Sequence, residues 1–174
     1  MTTRVYHSHS ESATRGFAAR FARRLRGSEL LALVGPLGSG KTCFAKGIAR
    51  GLGISHIITS PSFVLLKTYH GRVTLHHVDF YRLETPDDYF SIGMDELLAP
   101  DAVIVIEWAD RFLPLLPMPL LLISFDILDR NTRRLSLEPL GADSAHFNYL
   151  VGNLDAPDRH AAPDKQRTVS KDDQ

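Results

Sequence analysis

The chain carries one cysteine in 174 residues, Cys43, so no disulfide can close within it. That scarcity fits a reducing compartment. No uninterrupted apolar run approaches the roughly 20 residues that cross a bilayer as a helix. The opening residues, Met1 to His9, also lack the apolar stretch of a secretory leader. A soluble, cytoplasmic protein with no membrane partner is therefore expected. An excess of either charge is missing too, because 20 Lys and Arg offset 20 Asp and Glu. The overall field argues neither for nor against nucleic acid. No internal repeat is visible. The histidines suggest no metal cluster: His76 and His77 are adjacent, so on a strand they point to opposite faces. A histidine satisfied within a sheet is the plainer reading of either, contact with a ligand the other.

What is present begins with Gly35-Pro36-Leu37-Gly38-Ser39-Gly40-Lys41-Thr42, which fits G-x-x-x-x-G-K-[ST]. It follows the apolar run Leu30 to Val34 and precedes a helix-compatible segment from Lys41 to Gly51, the context such a phosphate-binding loop requires. The glycines let the backbone curl so that successive N–H groups face phosphate oxygens, and the helix opening adds its partial positive charge. The run Gly35, Leu37, Gly38, Ser39, Gly40, Lys41, Thr42 and Cys43 is the candidate nucleotide-binding set. Lys41 is expected to reach the β- and γ-phosphates and the Thr42 hydroxyl to hold Mg²⁺. For Cys43, packing on the first helical turn is the plain expectation. A helix N-terminus lowers a thiol pKa, which would make it reactive instead.

The length suits one domain with a flexible end, taken here as residues 1–152 and 153–174. Beyond Asn153 hydrophobic residues are sparse and a disordered tail is expected. Ser12 to Arg26 reads as an amphipathic helix through Ala13, Phe17, Phe21 and Leu25, with Ser8-x-x-Glu11 as its capping box and Gly27 as its stop. Its arginines, Arg15, Arg23 and Arg26 among them, read as a solvated face, with RNA or an acidic partner as the other possibility. Thr14 falls on the apolar side.

Leu30 to Val34 and Ala102 to Ile106 are the continuous apolar strands of a parallel sheet covered on both faces. Phe63 to Tyr69 and Arg72 to Val78 flank His70-Gly71 as a hairpin, the second arm resembling an antiparallel or edge strand. Pro86 opens a short helix through Phe90. Leu120 to Phe125 and Arg134 to Leu140 are two further strands around a polar turn. An α/β fold is expected, with a central, mostly parallel sheet flanked by helices, plus antiparallel strands.

A phosphate-binding loop needs a carboxylate from a neighbouring strand to complete a Mg²⁺ site. Glu107 follows the continuous strand and is favoured for the metal; Asp79 follows the mixed strand and is the candidate to orient an attacking water. A swap of these roles stays open. Thr59-Ser60-Pro61-Ser62-Phe63 is a polar loop placed where a segment responding to the γ-phosphate could lie, so Ser60 and Ser62 are switch candidates. Trp108, beside Glu107, is a third switch candidate, and its ring is read as core filling or as a stacking group. No Asp-x-x-Gly and no Asn-Lys-x-Asp occurs, so machinery for GTP is not apparent. The residues alone lead to a Mg²⁺-dependent nucleoside triphosphatase.

Together, the loop at Gly35 to Thr42, Ser60-Pro61-Ser62-Phe63, His77-Val78-Asp79-Phe80-Tyr81-Arg82 and Ile106-Glu107-Trp108 resemble, in order and spacing, the TsaE (YjeE) family. These are small bacterial ATPases of tRNA threonylcarbamoyladenosine synthesis. The resemblance spans roughly Ser10 to Leu140. It implies the topology of a P-loop NTPase, ATP or ADP at the loop, Mg²⁺ held by Thr42 and Glu107, and a functional Asp79. It also implies that Thr14 lies near the nucleotide and that Arg133 lines the adenine side. TsaD, working with TsaB, is the implied partner and performs the transfer to tRNA, which this chain would meet through that complex, direct contact by the basic first helix staying open. Pro36 departs from the acidic residue usual in the family and removes one backbone N–H. A small-molecule kinase and a nucleotide-sensing adaptor without turnover are the competing readings.

Overall fold

The computed structural model describes residues 3–98 and 101–154. Twelve segments build it in chain order: β1 (Arg4–Ser8), α1 (Glu11–Ala22), β2 (Leu30–Val34), α2 (Lys41–Gly51), β3 (Leu66–Tyr69), β4 (Thr74–Asp79), α3 (Pro86–Ser91), α4 (Met94–Leu97), β5 (Ala102–Glu107), β6 (Leu120–Ile127), β7 (Arg133–Leu140) and α5 (Ala145–Gly152). Seven strands form one sheet in the order β1-β7-β6-β2-β5-β4-β3. The four central strands run parallel through β6–β2, β2–β5 and β5–β4, and antiparallel pairs close both edges.

The central strands are apolar on both sides because both sides are covered. Leu31 and Leu33 of β2, with Val103 and Val105 of β5, face Phe17 and Phe21 of α1 and Phe44 and Ile48 of α2. Alternate residues Leu30, Ala32, Ile104 and Ile106 face Phe80, Tyr89, Met94 and Phe112 on the other side. The period-two alternation of a strand makes these two cores from single sequences. Helix α3 carries a true capping box, Thr85 with Asp88, and Pro86 in its first turn. The backbone N–H groups of Glu84 and Thr85 hold the Asp88 carboxyl below the usual carboxylate range.

Several expectations need correction. Helix α1 is capped by Ser10, whose side chain accepts from Ala13 N, and ends at Ala22 rather than Arg26. Ser8 instead closes β1 and spends its hydroxyl on Ser10 O and the Thr14 hydroxyl. Of the two readings of the second hairpin arm, antiparallel holds and edge does not: β4 pairs antiparallel with β3 and parallel with β5, which lies on its other side. β1 and α5 were not foreseen. α5 is tied down by His146, whose Nε2 lies 2.8 Å from Oε1 of the buried Glu29, and by apolar Phe147, Leu150 and Val151. Of the expected tail, all but the first two residues lie outside the described residues. No helix among the described residues is long and apolar enough to cross a membrane.

Candidate functional site

Three chain segments leave the sheet at the same edge, the carboxyl ends of its parallel strands, where ligands of open α/β sheets bind. After β2 comes the glycine loop; β4 ends on Asp79 and β5 on Glu107. The registers make this a row, since Glu107 is paired with Leu33 of β2 on one side and Asp79 of β4 on the other.

The loop has its shape because Gly35 has φ 142° and a Cβ there would lie 2.5 Å from Phe125 O. Gly40, at φ 106°, turns the chain into α2. As the N-cap of α2 it offers no side-chain acceptor, and the first intrahelical bond is Phe44 N to Gly40 O. The N–H groups of Lys41, Thr42 and Cys43 are thus left for an anion in front of the helix. Apart from the adjoining residues, nothing among the described residues lies within 4 Å of a Cβ placed on Gly38 or Gly40. The Ser39 hydroxyl is buried and has no hydrogen-bond partner among the described residues.

Lys41 is buried under this loop. Its Nζ donates to Gly35 O (2.6 Å) and Pro36 O (3.0 Å) and sits 3.8 Å over the Trp108 ring. Burial lowers its pKa, and the nearby carboxylates of Glu107, Asp110 and Asp79 oppose that shift. Trp108 itself has a left-handed backbone, φ 58°, uncommon for a bulky residue, and its ring also meets Tyr81 at 5.1 Å.

The Thr42 hydroxyl donates to Glu107 Oε2 at 2.7 Å. Of the two candidate carboxylates, Glu107 is therefore the one joined to the helix-opening hydroxyl. Asp79 is engaged elsewhere. Its Oδ2 accepts from Ser60 (2.7 Å) and Ser62 (2.6 Å), and its Oδ1 accepts from Tyr81 N (2.9 Å). The two serine hydroxyls are also 2.6 Å apart. The loop of Thr59 to Phe63 is thereby pinned to the end of β4, while Phe63 stays 83% exposed with the Arg82 guanidinium 4.2 Å over its ring.

A Mg²⁺ ion is consistent with the donors here. Thr42 and Glu107 present hard oxygen atoms side by side, and Mg²⁺ commonly takes one or two protein oxygens and completes its shell with phosphate and water. No group of three or more His, Cys, Asp or Glu suited to a metal occurs among the described residues, and such a site requires none.

The remaining candidates fall around this centre. Arg133 Nη2 donates to Gly38 O at 3.3 Å, bringing the start of β7 against the loop. Thr14 is buried, its hydroxyl bonded to Ser10 O and to the Ser8 hydroxyl. Cys43 turns its Sγ to Glu11 O (3.3 Å), and burial pushes its thiol pKa up, against the reactive reading. One neighbour, Arg111, carries no sign in the sequence, and another, His77, takes the bond expected of a histidine satisfied within a sheet. Arg111 Nη1 donates to Tyr81 O and Leu83 O, clasping the turn after Asp79 to the turn after Glu107. No sequence pattern announces it. His77 lies 2.8 Å from Glu107, two residues before Asp79 on the same strand face, so this sheet histidine is satisfied by a carboxylate of the site itself.

A family model described as "Threonylcarbamoyl adenosine biosynthesis protein TsaE" matches residues 8–135. The chain belongs to the TsaE family. A relative in Treponema pallidum, named tRNA threonylcarbamoyladenosine biosynthesis protein TsaE, is 42% identical over 130 residues, 75% of this chain and 96% of that protein. The TsaE of Bacillus subtilis is 36% identical over 129 residues, 74% of this chain and 80% of the relative. A crystal structure of Bacillus subtilis YdiB superposes with a TM-score of 0.71 at 27% identity, covering 88% of this chain and 97% of that one. The fold is therefore shared with a solved structure, and the TsaE family gives the chain its place in tRNA threonylcarbamoyladenosine biosynthesis.

Proposed function

We propose that the protein is a Mg²⁺-dependent ATPase whose hydrolysis serves the TsaB–TsaD complex in threonylcarbamoyl transfer to adenosine 37 of tRNA, and that this complex stimulates it. The observation that carries the reading is the 2.7 Å bond from Thr42 to Glu107 beside the uncapped start of α2. It places a carboxylate and a hydroxyl where an anion held by the helix N–H groups would need a counter-ion.

The residues divide the work. The glycine loop and the first turn of α2 bind the phosphates, and Lys41 exchanges the carbonyls of Gly35 and Pro36 for phosphate oxygens. Thr42 and Glu107 hold Mg²⁺, which when bound neutralises charge on the β- and γ-phosphate oxygens. Asp79 orients the attacking water, accepting its hydrogen bond at a carboxylate oxygen. That role supports slow turnover in isolation, because both serines of the loop already occupy Asp79 Oδ2 and Tyr81 N occupies Oδ1. Moving the loop frees the acceptor, and a partner that grips the exposed Phe63 or its neighbours has the lever to move it.

The test is phosphate release from ATP by the purified protein, alone and with TsaB–TsaD. Slow release that the complex accelerates is expected; group-supplied electrostatics in trans raise such rates by up to about 10³ to 10⁵. Equal rates with and without the complex would overturn partner control. Absence of any release in a single turnover would favour the adaptor reading.

A further inference from the structure

His77 is fully buried on β4, between Leu75 and Asp79 on the face that lies under α2, yet it makes a single side-chain bond among the described residues. Its Nε2 is 2.8 Å from Glu107 Oε1, while Nδ1 is buried with no partner. A carboxylate only accepts, so Nε2 carries the proton and Nδ1 the lone pair. The opposite tautomer would set two lone pairs against each other and bury a donor without an acceptor.

The consequence falls on Glu107. A glutamate has three rotatable bonds, and here its two oxygens are separately engaged: Oε1 accepts from His77 in the sheet and Oε2 from Thr42 on α2. The first partner is anchored in the core, the second belongs to the loop that receives the nucleotide. We propose that His77 is the positioning residue of this site: by holding Oε1 through Nε2–H, it fixes the Glu107 carboxylate so that Oε2 faces Thr42 and the cation they share. This rests on the reading of Thr42 and Glu107 as the Mg²⁺ pair. Hydrogen-bonded partners behind a liganding carboxylate typically change metal affinity or activity by about 10- to 100-fold when removed.

The experiment uses the full chain as wild type, His77→Leu and His77→Gln. Glutamine keeps an N–H donor near the place of Nε2; leucine fills the space and donates nothing. A fluorescent ATP analogue is bound at equilibrium across a Mg²⁺ titration, with circular dichroism to establish folding. His77→Leu is expected to weaken the Mg²⁺ dependence about 10- to 100-fold and to leave nucleotide affinity without Mg²⁺ unchanged; His77→Gln is expected to restore most of the loss. Equal Mg²⁺ dependence in all three proteins overturns the proposal, as does an equal loss of metal-free nucleotide affinity in both variants, the mark of a merely structural role. Long-range ¹⁵N–¹H spectra of the wild-type histidines provide a second readout that needs no variant to fold. The Nε2–H tautomer is expected for His77, and an Nδ1–H ring overturns the proposal. If the wild type shows the Nε2–H tautomer but no Mg²⁺-dependent binding, the assignment of the Mg²⁺ pair has failed and the role of His77 falls with it; an Nδ1–H ring beside normal Mg²⁺-dependent binding defeats the role of His77 alone.

Discussion

Lys41 is the residue at which binding and stability pull apart. Burial lowers its pKa from 10.5, so the unfolded chain holds the lysine proton more tightly than the folded one. Between the folded pKa and 10.5 the unfolded state binds more protons, and stability rises with pH across that window. Below the window the penalty is complete; above it the penalty is gone. Lys41→Met is accordingly expected to melt no lower than wild type at neutral pH, with its advantage shrinking as pH is raised through the window. ATP is expected to raise the melting temperature of the wild type and leave that of the variant unchanged, because a ligand stabilises only a fold that it binds. A variant that melts well below wild type at pH 7 would show that the bonds to Gly35 O and Pro36 O outweigh the cost of burying the charge.

At the scale of elements, α1 and α2 touch through two glycines. A Cβ on Gly47 would lie 2.6 Å from both Ala18 Cβ and Arg15 O, and one on Gly51 would lie 2.3 Å from Ala19 O. Helix propensity alone favours alanine over glycine by about 1 kcal/mol, whereas overpacking costs about 1–3 kcal/mol. The contacts here are with backbone, which yields little, so Gly47→Ala and Gly51→Ala are each expected to lower the urea midpoint. A rise in either midpoint would contradict this account of the helix pair. The same contact explains a limit on what the sequence tells. Leu30 to Val34, Lys41 to Gly51 and Ala102 to Ile106 were legible because a continuous apolar run or a glycine loop marks them locally. β1 carries no such mark: its residues Arg4 to Ser8 are mostly exposed, and it exists because β7 offers an unpaired edge in register. The end of α1 was misjudged for a related reason, since Leu25 is buried in the core without belonging to the helix.

At the scale of the molecule, the parallel centre of the sheet brings together residues up to 72 positions apart, from Gly35 to Glu107, along one edge. The gathering of the glycine loop, Asp79 and Glu107 at that edge was readable, because each follows a strand recognisable in the sequence. Which neighbours hold those carboxylates was not, because Ser60, Ser62 and His77 reach them only after the strands have paired. The indole over Lys41 has an optical consequence. Trp108 is the only tryptophan of the chain, and an ammonium rests 3.8 Å from its ring centre. Indole emission responds to a charge so close, and a nucleotide that draws Lys41 to its phosphates takes that charge away. ATP is expected to change the intrinsic emission of the unlabelled protein and to leave that of Lys41→Met unaltered. An unaltered wild-type spectrum, recorded while calorimetry registers binding, would place the lysine still on the ring; otherwise the protein reports the arrival of its nucleotide by its own light.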